Sequence, residues 1–188
     1  IDNDAHNIKL KTLLETIGLC LSAKDEFKSD VIKEAVTTLL EDPVPPKALM
    51  RTVILSAQSL PDIKKFVLTV VVPKLILMRT WDLAPKVWDG VVMCVKVMAG
   101  NKDSEPTIRA LIGLPLPQLR GILKIAPDTG VYLARLLRSL SAEEVEEVLS
   151  GKWAHLQSEN SESQKKDKAK LIQEMSTGGS GSNKGVGR

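Results

Sequence analysis

LLEDPVPPKALMRTVILSA, residues 39–57, reads as the end of one helix, a proline corner and the start of a second helix. Leu39 and Leu40 close an apolar pattern that opens at Val31. Pro43, Pro45 and Pro46 then stop the helix, because each fixes φ and removes an N–H donor. Pro46 suits the first turn of the next helix, where a missing donor has no intrahelical acceptor to lose. So dense a run of prolines makes the corner short and stiff. Helices joined this tightly form a hairpin.

Upstream, Ile8 to Leu21 carries Ile8, Leu10, Leu13, Leu14, Ile17 and Leu21 at helical spacing, with Lys9, Lys11 and Glu15 outside. KDEFKSD breaks that pattern, and Asp30 suits the N-cap of a helix over Val31–Glu41. Downstream, Lys47–Ser59 puts Leu49, Met50, Val53, Ile54 and Ala57 on one side, and Pro61 opens the next helix with Ile63, Phe66, Val67, Val70 and Val71 inward. Within it VLTVVV favours strand by propensity, but helical neighbours and the lack of a partner strand favour helix. Pro73 should kink or restart that helix.

Asp82–Pro85 reads as a break, and the helix from Pro85 to about Ala99 is apolar nearly all round, which places it in the middle of the domain. Ser104 can cap Glu105–Ile112, and GLPLPQ turns the chain into Leu116–Ile125. Gly130–Ser139 follows, and Ser141 with Glu144 forms a capping box for Ala142–Ser150. Residues 157–188 read as a flexible polar, Gly/Ser-rich tail, with a transient helix over Lys165–Met175. The fold expected is all-α: a HEAT-like α-solenoid, a superhelical stack of roughly eight or nine helices in antiparallel pairs over residues 1–156. One pair cannot cover its own apolar face, so stacking is obligatory.

Composition narrows the function classes. Hydrophobic residues make up 43% and aromatics only 3%, so few rings are available to stack on bases. Residues 1–150 hold 19 Lys and Arg against 19 Asp and Glu, and residues 151–188 hold 7 against 4, so the net +3 lies wholly in the tail. A neutral body with a mildly basic end is a poor grip on nucleic acid. Cys20 and Cys94 lie in apolar helical patterns and read as buried free thiols of a reducing compartment. The chain opens on Ile1 without a leader and reads as a segment of a longer polypeptide. Its longest apolar run, Phe66–Met78, is interrupted and shorter than the ~20 residues of a membrane span.

Catalytic and metal signals are missing. His6 and His155 have no Cys or acidic partner at ligand spacing, and no GxSxG, HExxH or phosphate loop is present. Cys94 has no neighbouring base, and Glu41–Asp42 and the EEVEE run read as solvated helix ends. No catalytic residue, cofactor or metal is expected. Surface remains: Lys47, Arg51, Arg79 and Lys86 flank the two proline breaks, either as a solvated face or as a ridge for an acidic partner. Trp88 is expected in the core, and Trp81, beside a break, as an interface anchor.

LLEDPVPPKALMRTVILS (39–56), KLILMRTWDLAPKVWDGVVMC (74–94) and LIGLPLPQLRGIL (111–123) resemble, in order and spacing, the symplekin C-terminal domain family. The likeness covers roughly residues 30–140, and its most specific pieces are the LLEDP-x-PP-K-x-x-MRT corner and the W-x-x-x-PK-x-W-x-G break. The resemblance implies a HEAT-like superhelix without catalytic activity, in the nuclear machinery that cleaves and polyadenylates pre-mRNA 3′ ends. Its implied partners are the C-terminal regions of the cleavage endonuclease and its inactive paralogue, and cleavage-stimulation factor subunits. The GNKDSEP insert and the Gly/Ser-rich end depart from the family pattern. The competing expectations are a generic helical-repeat adaptor of another pathway, and a nucleic-acid module using the basic tail.

Overall fold

The structure is a computed structural model, and it describes residues 10–23, 27–150 and 162–177. Every regular element among them is helical, and none is a strand. The chain divides into two compact units, Ile1–Cys94 and Val95–Arg188. Ile8, His6, His155 and the Gly/Ser-rich stretch after residue 177 lie outside the described residues.

In the first unit α1 (Leu10–Ser22) and α2 (Ser29–Leu39) precede the proline corner, and α3 (Leu49–Ser59) follows it. α3 touches α1 and α2, and buries Leu49, Met50, Val53, Ser56 and Ala57. The corner is shaped as expected, with Leu40 and Pro45 buried and Glu41, Asp42 and Pro43 in solvent. Its boundary differs slightly: the Leu49 N–H donates to the Pro46 carbonyl at 2.9 Å, so Pro46 opens a turn ahead of α3 and is not in the helix. The Asp30 cap is also corrected. Extended Lys28 occupies the cap position of α2 with no side-chain cap, and its carbonyl accepts from Ile32 N–H. Asp30 therefore lies in the first turn, where its charge suits the helix N-terminus and pairs with Lys33 at 3.6 Å.

Residues 61–77 form one rod: α4 (Pro61–Phe66), a π-helical turn (Val67–Val71) and α5 (Val72–Leu77). The β-branched run is thus helical, and Val67, Leu68, Val71 and Val72 are wholly buried. As expected, the α-helix restarts here, with Pro73 in the first turn of α5. In an α-turn its ring would press on the Thr69 carbonyl. The wider π turn directly before it, with Val72 N–H bonded to the Val67 carbonyl, absorbs the conflict. The same register shift turns Val70 outward, 43% exposed, against the expected inward position.

The break expected at Asp82–Pro85 is shorter than that. Arg79 takes a left-handed conformation (φ 55, ψ 46), α6 (Thr80–Leu83) makes one turn, and only Ala84 interrupts before α7 (Pro85–Met98). Thr80 is buried and its hydroxyl donates to the Leu75 carbonyl at 3.0 Å, which ties α6 back to α5. α7 is not covered all round. Val87, Val91, Cys94, Val95 and Met98 face inward at helical spacing, while Met93 and Val97 are 48% and 65% exposed beside Lys86, Asp89 and Lys96.

The second unit contains α8 (Glu105–Ile112), α9 (Leu116–Ile125), α10 (Thr129–Ser139), α11 (Ala142–Ser150) and α12 (Glu162–Thr177). Leu111, Ile112, Leu114, Leu119, Ile122 and Leu133 form its core. α10 and α11 each lie against both α8 and α12. The capping box is present: Glu144 N–H donates to Ser141 Oγ at 3.2 Å, and Ser141 N–H donates to the Glu144 carboxylate at 2.9 Å. Ser104 occupies the cap position of α8 without a side-chain capping bond, because its backbone is already in the right-handed helical region. The segment 165–175, expected as a transient helix, is helical over Glu162–Thr177 and buries Lys168 and Ile172.

Candidate functional site

The helices that follow the two proline breaks of the first unit approach each other closely at one point. A Cβ on Gly90 would stand 2.4 Å from Met50 Cβ, so α7 and α3 cross there with no room for a side chain. Met50 precedes Arg51 in the chain, and Gly90 lies one helical turn after Lys86, on the same face of α7. The first turn of α3 is thereby set against the start of α7.

The Arg79 corner precedes α6 and α7 in the chain. Its left-handed backbone aims the guanidinium at Asp82, with Nε at 3.1 Å and Nη2 at 2.9 Å from Oδ2. The same guanidinium lies over the Trp81 ring, 5.6 Å from its centroid, and Trp81 meets Trp88 edge to face at 5.3 Å and 73°. Both indoles are half-buried, and Leu83 beside them is 52% exposed. An aromatic pair with one wet edge, stiffened by a charge-assisted bond, loses little rotamer freedom when a partner covers it.

The expected site residues fall into two sets. Arg79 and Trp81 are in direct contact, and Lys86 sits one turn beyond them, paired with Asp89 at 3.5 Å in solvent. That exposed pair adds little to stability. Lys47 and Arg51 are exposed at the other corner, and among the described residues no hydrogen bond, ion pair or ring contact joins either to the tryptophans or to Arg79. Trp88, expected in the core, is half-buried and is the edge-to-face partner of Trp81. The core position of that turn belongs to Val87. Cys94 is wholly buried, and burial pushes its thiol up to about 12, so it carries no thiolate at neutral pH.

Two features escaped the sequence reading. An isolated glycine inside the apolar pattern of α7 is a signal of close backbone approach, and Gly90 could have been found by it. Lys168 has no such signal, since it stands in a lysine-rich run that resembles any solvated face. Its side chain is 0% exposed, and Nζ donates to the carbonyls of Ile112 (3.3 Å) and Leu149 (3.2 Å), at the C-terminal ends of α8 and α11. Burial, with Lys165 nearby, lowers its pKa to about 8.

A family model described as "Symplekin tight junction protein C terminal" matches residues 1–126. No solved structure matches the chain. No described helix is long and apolar enough to cross a membrane.

Proposed function

The chain belongs to the symplekin C-terminal family, and on that premise we propose that it is a non-catalytic scaffold domain of the nuclear mRNA 3′-end cleavage and polyadenylation complex. It binds the C-terminal regions of the cleavage endonuclease and of its inactive paralogue, and so holds them in one assembly with cleavage-stimulation factor. One observation supports this reading: the two most distinctive stretches, the 39–57 corner and the 78–90 break, meet through Met50 and Gly90, and the second carries a stiffened, half-buried tryptophan pair. Spare aromatic surface at a rigid corner serves recognition better than it serves stability. Lys47, Arg51, Arg79, Trp81 and Lys86 form the contact zone, with Trp81 as its anchor and the cations drawing an acidic segment.

The reading includes a HEAT-like stack. Supporting this in the first unit, α3 contacts α1, α2 and α4, and α2 contacts both α3 and α4. The test is co-purification of the endonuclease and its paralogue with the full chain. Trp81→Ala combined with Lys86→Glu should reduce recovery at least ~10-fold while circular dichroism is unchanged. Equal recovery by the variant removes this surface from the interface. Failure of the wild-type chain to retain either protein at low salt defeats the reading itself.

A further inference from the structure

The GNKDSEP stretch, residues 100–106, leads the chain into α8, and the contact zone of the first unit makes no use of it. Together with one face of α10 it walls an open cavity of about 350 Å³. Tyr132 ties the two walls together. A Cβ on Gly100 would stand 2.6 Å from the Tyr132 hydroxyl, so the ring seats on the loop at the one point that carries no side chain. Arg135, one turn along α10, holds its guanidinium over the same ring, 5.8 Å from the centroid.

The lining is rich in hydrogen-bond donors that the chain itself leaves idle. Ser104 is 7% exposed, and among the described residues its hydroxyl has no partner, because its cap position forms no side-chain bond. The Tyr132 hydroxyl has none there either. Asn101 accepts the Asp103 N–H through Oδ1 at 3.0 Å, which leaves its NH2 group to donate. Lys102 and Arg135 are exposed, and among the described residues neither pairs with a carboxylate. Glu105 is the acidic residue of the lining, and Arg109 Nε holds its carboxylate at 2.9 Å. The start of α8 adds a partial positive charge. A buried hydroxyl without a partner is a cost until a ligand bonds it. Only an anion with several oxygens can use all these donors at once. A carboxylate brings two oxygens and one charge. A phosphate monoester brings three oxygens and nearly two charges, which matches Lys102 and Arg135.

We propose that this cavity binds a phosphate monoester, carried on a phosphorylated serine or threonine of a protein segment. Ile108 and Leu136, also in the lining, give the carbons of that segment an apolar floor that a free phosphate ion would not use. A nucleic-acid diester carries one charge per phosphate, and the neutral helical body offers no track for the phosphates on either side of it. The site lies within the second unit and does not depend on the tryptophan surface of the first, so either reading can fail without the other.

The test is a titration of the full chain, labelled with nitrogen-15 and followed by amide shifts. The probes are a short peptide with phosphoserine between leucines, its unphosphorylated twin, inorganic phosphate and an oligouridylate. The phosphopeptide should shift amides in 101–107 and 132–139, and the unphosphorylated twin should shift none. It should bind at least about tenfold tighter than inorganic phosphate, because burying its leucines adds to the charge contacts. Its affinity should rise between about pH 5 and about pH 7, as the phosphate takes its second charge. Lys102→Ala, Arg135→Ala and Ser104→Ala should each weaken binding about tenfold, as for a lost hydrogen bond to a charged group. Ser104→Ala should do so at an unchanged urea midpoint, since that hydroxyl caps nothing. The proposal is overturned if those amides do not move, or if Ser104→Ala binds as well as the wild type. Inorganic phosphate binding as tightly as the peptide, or the oligouridylate taking the same amides more tightly, overturns it too.

Discussion

Gly90 shows how one residue can govern a packing choice. With a Cβ 2.4 Å from Met50 Cβ, Gly90→Ala must push α3 and α7 apart. A cost of about 1–3 kcal/mol is expected in denaturant titration, from overpacking that outweighs the gain in helix propensity. Combining it with Met50→Ala should cost less than the two single changes summed, because the pair shares one contact. Trp88→Ala belongs to the same scale. A fully buried ring would cost about 3–5 kcal/mol. Trp88 is half-buried and among the described residues has one aromatic neighbour, so a loss of about 1–3 kcal/mol is expected by the same titration.

Among elements, sequence and structure agree most where a local signal is unopposed. α9 and α11 begin and end where their prolines and capping box place them, since both devices act within one turn. Ser141→Ala should speed amide exchange across α11, consistent with a cap worth about 1 kcal/mol. Glu144 is held below the usual carboxylate range, first by the Ser141 backbone bond and then by its hydroxyl. A depressed folded pKa stabilises above the unfolded value, so α11 protection should fall as pH drops through the acidic range, and the S141A chain should show a weaker fall. Tertiary effects were less legible. The π turn at 67–71 and the exposed stripe of α7 depend on what packs across from them, and no window of sequence contains that. The Arg79 corner combines both cases. Its break is visible in the Trp–Asp–Leu–Ala–Pro run, yet its left-handed backbone is visible only in the fold.

For the whole molecule, the pH response separates the two units. Lys168 has a folded pKa lowered to about 8 from 10.5, so the unfolded chain binds the extra proton between those values. Stability of the second unit should therefore rise as pH climbs from about 8 toward 10.5. Cys94 acts in the opposite sense in the first unit. Its raised pKa means stability is complete below 9.0 and declines above it. Urea titrations at pH 7.5 and 8.8 should show the Lys168 rise before the Cys94 fall sets in, and Lys168→Met should remove it. A slope unchanged in that variant would assign the response elsewhere.

The π turn gives the 61–77 rod an arithmetic of its own. Deleting one residue between 67 and 71 would restore ordinary α-winding and keep Leu75 and Ile76 in phase, because a π turn holds one residue more than an α turn over the same rotation. Pro73 would then collide with the carbonyl four residues behind it. The spare residue is thus the slack that lets one rod carry Pro73 between two neighbourhoods, α2 and α3 at its front and α6 at its rear. Descendants of this chain can shed it only by exchanging Pro73 in the same step.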